Sequence, residues 1–540
     1  MENNQAYDSN RLSLGMVDLS NIRKSNMIYV DKTKLLYDIA SQRTPLFLSR
    51  PRRFGKTLLI NTLHSLFEKG LEDFHCLDIE KLWNDTTYKV VHIDFSILAD
   101  DNPEEFKRDL VEILVQQFKV GDTVSKFDAL GIRNPNIVLS EIALNLKANS
   151  TVLLVDEYDA PLTHHIHKQN ELNDIMRILN NFYSTVKQFT DKFRFIFITG
   201  ITRTSHISIF SSFNNLKDIS LREEFNSLLG FTQDDLVRYF DQYIQNASII
   251  LKITKDDVYR RVKQYYDGFQ FSLESEQTLY NPWSILNFFD SPQLGFTNYW
   301  FQSGGSPSII MQYLKITDSF NLINYKDSKI YKTRQELSSR YEITTIPPDI
   351  LLLQAGYFTI RRETSQTARL VLPNTEVEDS MLDLYLAANN IRISNEAQKK
   401  IDELSMNIDQ RNLQEIISIF NAILNDCVSI LSNIFQDERS IRDIIYAALP
   451  QELYLQKIKE RETTQGFSDL ELLTQKTHMV IEFKRTRPDR NAKTSLQEAI
   501  EQLQNKQYGI GAFHHLKLYR VAMVLSTDSK SILPEYCREV

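Results

Sequence analysis

Two short apolar runs, PLFLS at Pro45–Ser49 and TVLLV at Thr151–Val155, break off into residues unsuited to a buried strand. The first passes into RPRRFGKT, Arg50–Thr57, and then into LLINTLHSLF, an apolar helical face. The second ends in Asp156-Glu157. Val90–Phe95 and Phe193–Thr199 are further runs of the same kind, and Leu216–Ser220 is a candidate fifth. Helical patterns lie between them at Lys56–Glu68, Pro103–Phe118 and Asn170–Phe189. Continuous apolar runs alternating with helices predict a parallel sheet covered on both faces. In such sheets ligands sit beyond the carboxyl ends of the strands, where both motifs fall.

A phosphate loop needs backbone N–H groups aimed at anionic oxygens, a lysine for the outer phosphates and a hydroxyl for magnesium. Gly55-Lys56-Thr57 supply that ending, and Leu58 continues into the helix. Arg50 stands where the usual first glycine belongs, and Pro51, Arg52, Arg53 and Phe54 fill the loop. Taken alone, GKT also fits a helix N-terminus after a basic turn. The acidic strand decides between the two: Asp156 is placed to hold magnesium through water, and Glu157 to polarise the attacking water. The two motifs in order, about a hundred residues apart, predict a site that uses ATP and Mg2+. Thr199, at the tip of its strand, is placed to sense the γ-phosphate or to orient water. Arg203 reads as a contact to nucleotide or partner, or as a solvated loop cation. Arg52 and Arg53 either bind phosphate or DNA, or only solvate the loop.

A second chemistry is written near the C-terminus. In GFSDLELL, Gly466–Leu473, Asp469 lies in a strand; in MVIEFKRT, Met479–Thr486, Glu482 and Lys484 are two residues apart. Period two puts Glu482 and Lys484 on one face and Phe483 on the other. A hairpin at Gln475–Lys476 brings Asp469 near Glu482. Carboxylates that hold a divalent ion, with a lysine near the attacking water, are what phosphodiester cleavage requires. The pattern is short, and a solvated strand face reads the same way. Arg485, Arg487, Arg490 and Lys493 follow: either a local grip on a phosphate backbone or a solvated loop.

Composition limits the alternatives. A chain of 540 residues exceeds one ordinary core, and 42% hydrophobic with 24% charged residues is globular. The net charge of −8 excludes a global basic field, so any DNA site is a local patch. Three scattered cysteines fit a reducing compartment and no zinc spacing. The polar N-terminus and the lack of a membrane-length apolar run point to a cytoplasmic protein with no membrane partner.

The N-terminal part resembles the AAA-ATPase-like family found beside C-terminal PD-(D/E)XK nuclease domains. The similarity rests on YVDKT at Tyr29–Thr33, FLSRPRRFGKT at Phe47–Thr57, LLVDEYDAP at Leu153–Pro161 and ITGITRTS at Ile198–Ser205, and continues through IFSSFNNLKDIS, YDGFQF, YNPWSILNFF, LLLQAGYFTI and LPNTEV. The arginine-rich loop without its first glycine is normal in that family. The resemblance implies a P-loop fold of the branch with an added catalytic glutamate. Toward the C-terminus the matching blocks are Glu460–Glu462, Gly466-x-x-Asp469, Glu482–Lys484 and a helix with Gln502 and Tyr508. Ser468 replaces the proline of the motif, and Phe467 stands where relatives often carry arginine. Glu462 is a further metal ligand or a surface charge. Asp31 and Lys32 cap the nucleotide site or begin a helix, the structural role being preferred.

The expected architecture is α/β: a P-loop NTPase parallel sheet over 1–230, a helical lid over 231–345, a winged-helix-like and helical connector over 346–438, and a restriction-endonuclease-like α/β domain over 439–540. Two functions compete. One is an ATPase coupled to a metal-dependent nuclease acting on nucleic acid, DNA above all. The other is a nucleotide-dependent switch whose nuclease-like domain binds DNA or protein without cleaving. Association of identical chains is left open.

Overall fold

The computed structural model describes residues 11–119, 134–203, 216–302, 330–388, 393–427, 438–449, 455–463, 466–486, 491–510, 513, 515–526 and 528–540. The chain divides into two compact units. One holds residues up to 290 and most of 298–378; the other holds 379–540 and short pieces near 291–297 and 321–325.

The first unit is built on five strands: β1 (Leu46–Ser49), β2 (Lys89–Asp94), β3 (Thr151–Asp156), β4 (Phe193–Gly200) and β5 (Lys217–Asp218). They lie in the order β2-β3-β4-β1-β5, and every pairing is parallel. β1, β3 and β4 are buried along their whole length, which is why their sequences are continuous apolar runs. The candidate fifth strand contracts to the two residues of β5.

Helix Lys56–Lys69 starts from Gly55, whose φ of 94° is left-handed, and packs on β2 and β3. It buries Leu59, Ile60, Leu63, Leu66 and Phe67, each contributing about 1.5–3 kcal/mol. Helix Pro103–Gln117 begins with a capping box in which Asn102 and Glu105 satisfy each other's backbone N–H, with Pro103 at the first position. Helix Pro135–Leu144, which the sequence reading missed, packs on helix Gln169–Gln188.

The helices Gln233–Leu251, Lys255–Tyr266 and Pro282–Asp290 form the expected helical region of this unit. Tyr266 ends its helix, and Gly268 turns with φ 105° against the Pro373 carbonyl, where any Cβ would clash. The expected helix, hairpin and helix are present as Pro348–Ala355, β7 (Thr359–Arg362) with β8 (Thr367–Val371), and Thr375–Ala388. β6 (Ile330–Thr333), in a stretch read as helical, adds a third strand beside β8.

The expected connector is not one body. Its part up to 378 belongs to the first unit: Arg361 donates to the Gly268 carbonyl, and Ser284 to Glu376. The later helices, Asn395–Asp402, Leu404–Asp409 and Leu413–Asp426, belong to the second. Asn421 exchanges two hydrogen bonds with the Ile532 backbone, and Arg411 pairs with Glu539.

The second unit holds helix Glu438–Ala448, β9 (Gln456–Thr463), β10 (Gly466–Leu473), β11 (Thr477–Arg485), helix Ala492–Lys506, β12 (Lys517–Ser526) and β13 (Ser531–Glu539). The sheet order is β13-β12-β11-β10-β9, antiparallel except for β11 beside β12. Helix Ala492–Lys506 supplies the crossover that a parallel pair requires, burying Ala499 and Leu503 over Val480 and Ala522.

Candidate functional sites

β4 lies between β1 and β3, so the phosphate loop and the acidic strand are one strand apart. Across that gap the Thr57 hydroxyl donates to Asp156 Oδ2 at 2.9 Å. The Thr199 hydroxyl donates to Asp156 Oδ1 at 2.5 Å, and the Glu157 N–H to the same oxygen at 3.0 Å. Asp156 is buried, and its two oxygens are held by these three donors.

Lys56 is buried, with its ammonium on the carbonyls of Arg50 and Pro51 at 2.9 and 3.0 Å. Burial pulls the Lys56 pKa down, while Glu157, Asp156 and Asp159 pull it back up. Glu157 takes a left-handed φ of 47°, an uncommon conformation for its residue type. Burial raises its carboxyl above the usual range against the opposing charges of Lys56 and Arg52. Asp159, the last residue of VDEYD, is buried and accepts from the Ile201 and Thr202 N–H groups and the Thr202 hydroxyl. It fixes the turn after β4, and its charge reaches Lys56 and Glu157.

A cavity of about 520 Å3 opens over this cluster. Arg52, Arg53, Phe54, Gly55, Lys56, Thr57, Leu58 and Glu157 line one side, and Tyr29, Val30, Leu36, Leu228 and Trp283 line the apolar remainder. Phe54 turns its ring into the core, edge-on to Phe269 and Phe271. Lys32 also lines the cavity; the apolar lining had no role assigned from sequence, because it comes from segments distant along the chain.

The arginines separate by environment. Arg50, in the place of the missing glycine, is buried over the Phe271 ring at 4.2 Å and donates to the carbonyls of Ser49, Ser220 and Phe225. Burial pushes its pKa down to about 9. Arg53 sits with φ 68° over the Trp283 ring at 4.4 Å. Of the alternatives given for Arg203, the solvated loop cation is corrected by its burial. It is buried, pairs with Asp218 at 3.0 Å and donates to the carbonyls of Leu337 and Ser338. Asp31 accepts from the Thr33 and Asp78 N–H groups, and Lys32 pairs with Asp235. Asp31 thus holds the start of its helix, while Lys32 also lines the cavity.

In the second unit Asp469 on β10 and Glu482 on β11 fall opposite each other when the Leu470–Ile481 pairing is continued by one residue. Asp469 Oδ2 accepts from the Phe483 N–H at 2.8 Å, and Lys484 Nζ meets Glu482 Oε1 at 2.6 Å. Glu482 and Phe483 are buried, and Asp469 and Lys484 are half-buried. Tyr508 is buried beside them, with its hydroxyl accepting from Gln502 at 3.3 Å. Burial, then the charges of Glu482 and Asp469, raise its pKa.

Among the described residues no group of three or more His, Cys, Asp or Glu side chains is arranged to hold a metal; Asp469 and Glu482 are two carboxylates on neighbouring strands. Glu462 lies on β9, with its side chain outside the described set, as are Arg487 and Arg490. Phe467 is exposed. Ser468, in the place of the proline, is buried and donates to Glu471, which also meets His478 at 2.8 Å. Arg442, unnoticed in the sequence, is buried on helix Glu438–Ala448 and stands 3.9 Å from Asp469 Oδ1.

Comparison with known proteins matches both parts of the chain. Residues 13–210 match the model of the AAA-ATPase-like family, described as predicted AAA-ATPase, and residues 436–535 match the PD-(D/E)XK nuclease superfamily. The chain joins an AAA-ATPase-like domain to a PD-(D/E)XK nuclease-superfamily domain. This two-domain chain is also similar to an uncharacterized protein encoded in the vnfD 5′ region of Azotobacter chroococcum mcd 1. The two are 29% identical over 389 residues, 70% of each chain. Among its described residues no helix is long and apolar enough to cross a membrane.

Proposed function

We propose that the AAA-ATPase-like domain binds and hydrolyses ATP and that the C-terminal domain is a magnesium-dependent nuclease acting on DNA. The observation that carries the first half is the 2.9 Å contact of Thr57 with Asp156, one strand apart, with Lys56 and Glu157 in the same cavity. A hydroxyl and a carboxylate in contact are hard oxygen donors suited to magnesium, and would hold it. When bound, that ion supplies charge neutralisation at the phosphates. Among the described residues Lys56 has only loop carbonyls as hydrogen-bond partners, so outer phosphate oxygens are a better match for its charge. Glu157 is the base for water, and Thr199 keeps Asp156 oriented.

For the second half, Asp469 and Glu482 suit a largely hydrated magnesium, which needs only one or two carboxylates. Lys484 is placed to position water or to meet charge at the scissile phosphate. Arg485 and Lys493 supply local positive charge in an acidic chain. The free thiols of Cys76, Cys427 and Cys537 support a reducing compartment, the cytoplasm. The Lys484 ammonium seated on Glu482 favours a second reading, a nucleotide-dependent switch with a non-cleaving DNA- or protein-binding domain. Calorimetry with ATP and Lys56→Ala tests the first half: the variant should lose tight binding, and equal affinity would refute the site.

A further inference from the structure

Four arginines surround the phosphate loop, and three have settled partners. Arg50 is spent on three carbonyls, Arg203 on Asp218 and two carbonyls, and Arg53 lies over Trp283. Arg52 differs. It lines the cavity with Lys56, Thr57 and Glu157, which Arg50 and Arg203 do not, and its Nε, like that of Arg50, is buried without a hydrogen-bond partner. Its charge lowers the pKa of both Glu157 and Lys56, so the guanidinium is within electrostatic reach of both. A phosphate held by Lys56 would bring its oxygens into the same cavity as this guanidinium.

We propose that Arg52 is a catalytic arginine supplied in cis by the phosphate loop, stabilising the charge on the γ-phosphoryl oxygens during hydrolysis. This rests on the ATPase reading. The Glu157 carboxylate takes a proton from water, and the water oxygen bonds to the γ-phosphorus. The bond from that phosphorus to the β,γ-bridging oxygen breaks, and its electron pair leaves with ADP. Phosphate is the other product, and the proton passes from Glu157 to solvent. An arginine in this role is often delivered by another protein, and its contribution to turnover is large. With Arg52 in the loop itself, one chain supplies every side chain this reaction uses, beside the bound magnesium.

The test is steady-state phosphate release by the full-length chain, Arg52→Ala and Arg52→Lys, with ATP affinity measured by calorimetry and trapping of ADP with fluoroaluminate. Arg52→Ala should lower kcat roughly a thousandfold while ATP affinity stays within about threefold, and should lose fluoroaluminate trapping. Arg52→Lys should recover only part of the rate, and wild-type turnover per chain should not change with protein concentration. The proposal is overturned if Arg52→Ala keeps its kcat, if it loses ATP affinity instead, or if wild-type turnover per chain climbs with concentration. A wild type that binds no ATP would instead overturn the ATPase reading, and this inference with it.

Discussion

Asp156 is where the candidate site of the AAA-ATPase-like domain is most finely determined. Thr57 approaches one carboxylate oxygen, Thr199 and the Glu157 N–H the other, so the carboxylate cannot rotate without losing a bond. Thr199→Val keeps the shape and removes one donor. Magnesium-dependent ATP binding should weaken about tenfold or more, as is typical when a ligand's supporting hydrogen bond is lost; calorimetry with and without magnesium reads it. Glu157→Gln should keep ATP affinity and stop phosphate release, because it keeps the shape and removes the base; unchanged turnover would refute that role. Burial holds the Glu157 carboxyl above the ordinary glutamate range. A base acts only when ionised, so kcat/KM should be full above that raised pKa and fall as pH drops through it. An acid limb at the ordinary glutamate value would show that burial does not govern the site.

At the scale of elements, β4 joins the two motifs by lying between them, and Gly200 ends it where nothing larger fits. A Cβ there would overlap the Tyr158 ring and lie 2.6 Å from Asp159 Oδ1. Gly200→Ala should destabilise the first unit by about 1–3 kcal/mol, seen as a lower midpoint of its ATP-sensitive thermal transition. An unchanged midpoint would mean that Tyr158 yields without cost. These strands were legible in the sequence because burial on both faces leaves continuous apolar runs. The motifs were legible because their residues are contiguous or alternate. Arg203 was not, because its partners Asp218, Leu337 and Ser338 are distant in the chain and a lone arginine after a strand carries no sign of burial. Arg50 reads as a lost glycine until Phe271 and three carbonyls are seen around it. β6 was hidden because a four-residue half-exposed edge strand lacks a clear period.

For the whole molecule, the change of unit comes near residue 378, well before the start expected for the nuclease-like domain. Three helices between 395 and 426 were read as a connector because their amphipathic pattern does not say which surface they cover. Ile416, Phe420 and Ile423 are buried within the second unit. A fragment of residues 1–388 should therefore be soluble and gain thermal stability from ATP and magnesium. A fragment of residues 1–437 should aggregate, since it carries those helices without the C-terminal sheet. Equal solubility of the two fragments would count against this division. The claim at the centre of the account is that one chain carries two separate chemistries. It is tested most directly by magnesium-dependent cleavage of labelled DNA by wild type and Asp469→Ala, with and without ATP, while phosphate release is followed in the same tubes. Wild type should cleave, and Asp469→Ala should lose cleavage while hydrolysing ATP at nearly the wild-type rate. A wild type that hydrolyses ATP and binds DNA but cuts none, in any nucleotide state, would contradict the nuclease assignment and leave the switch.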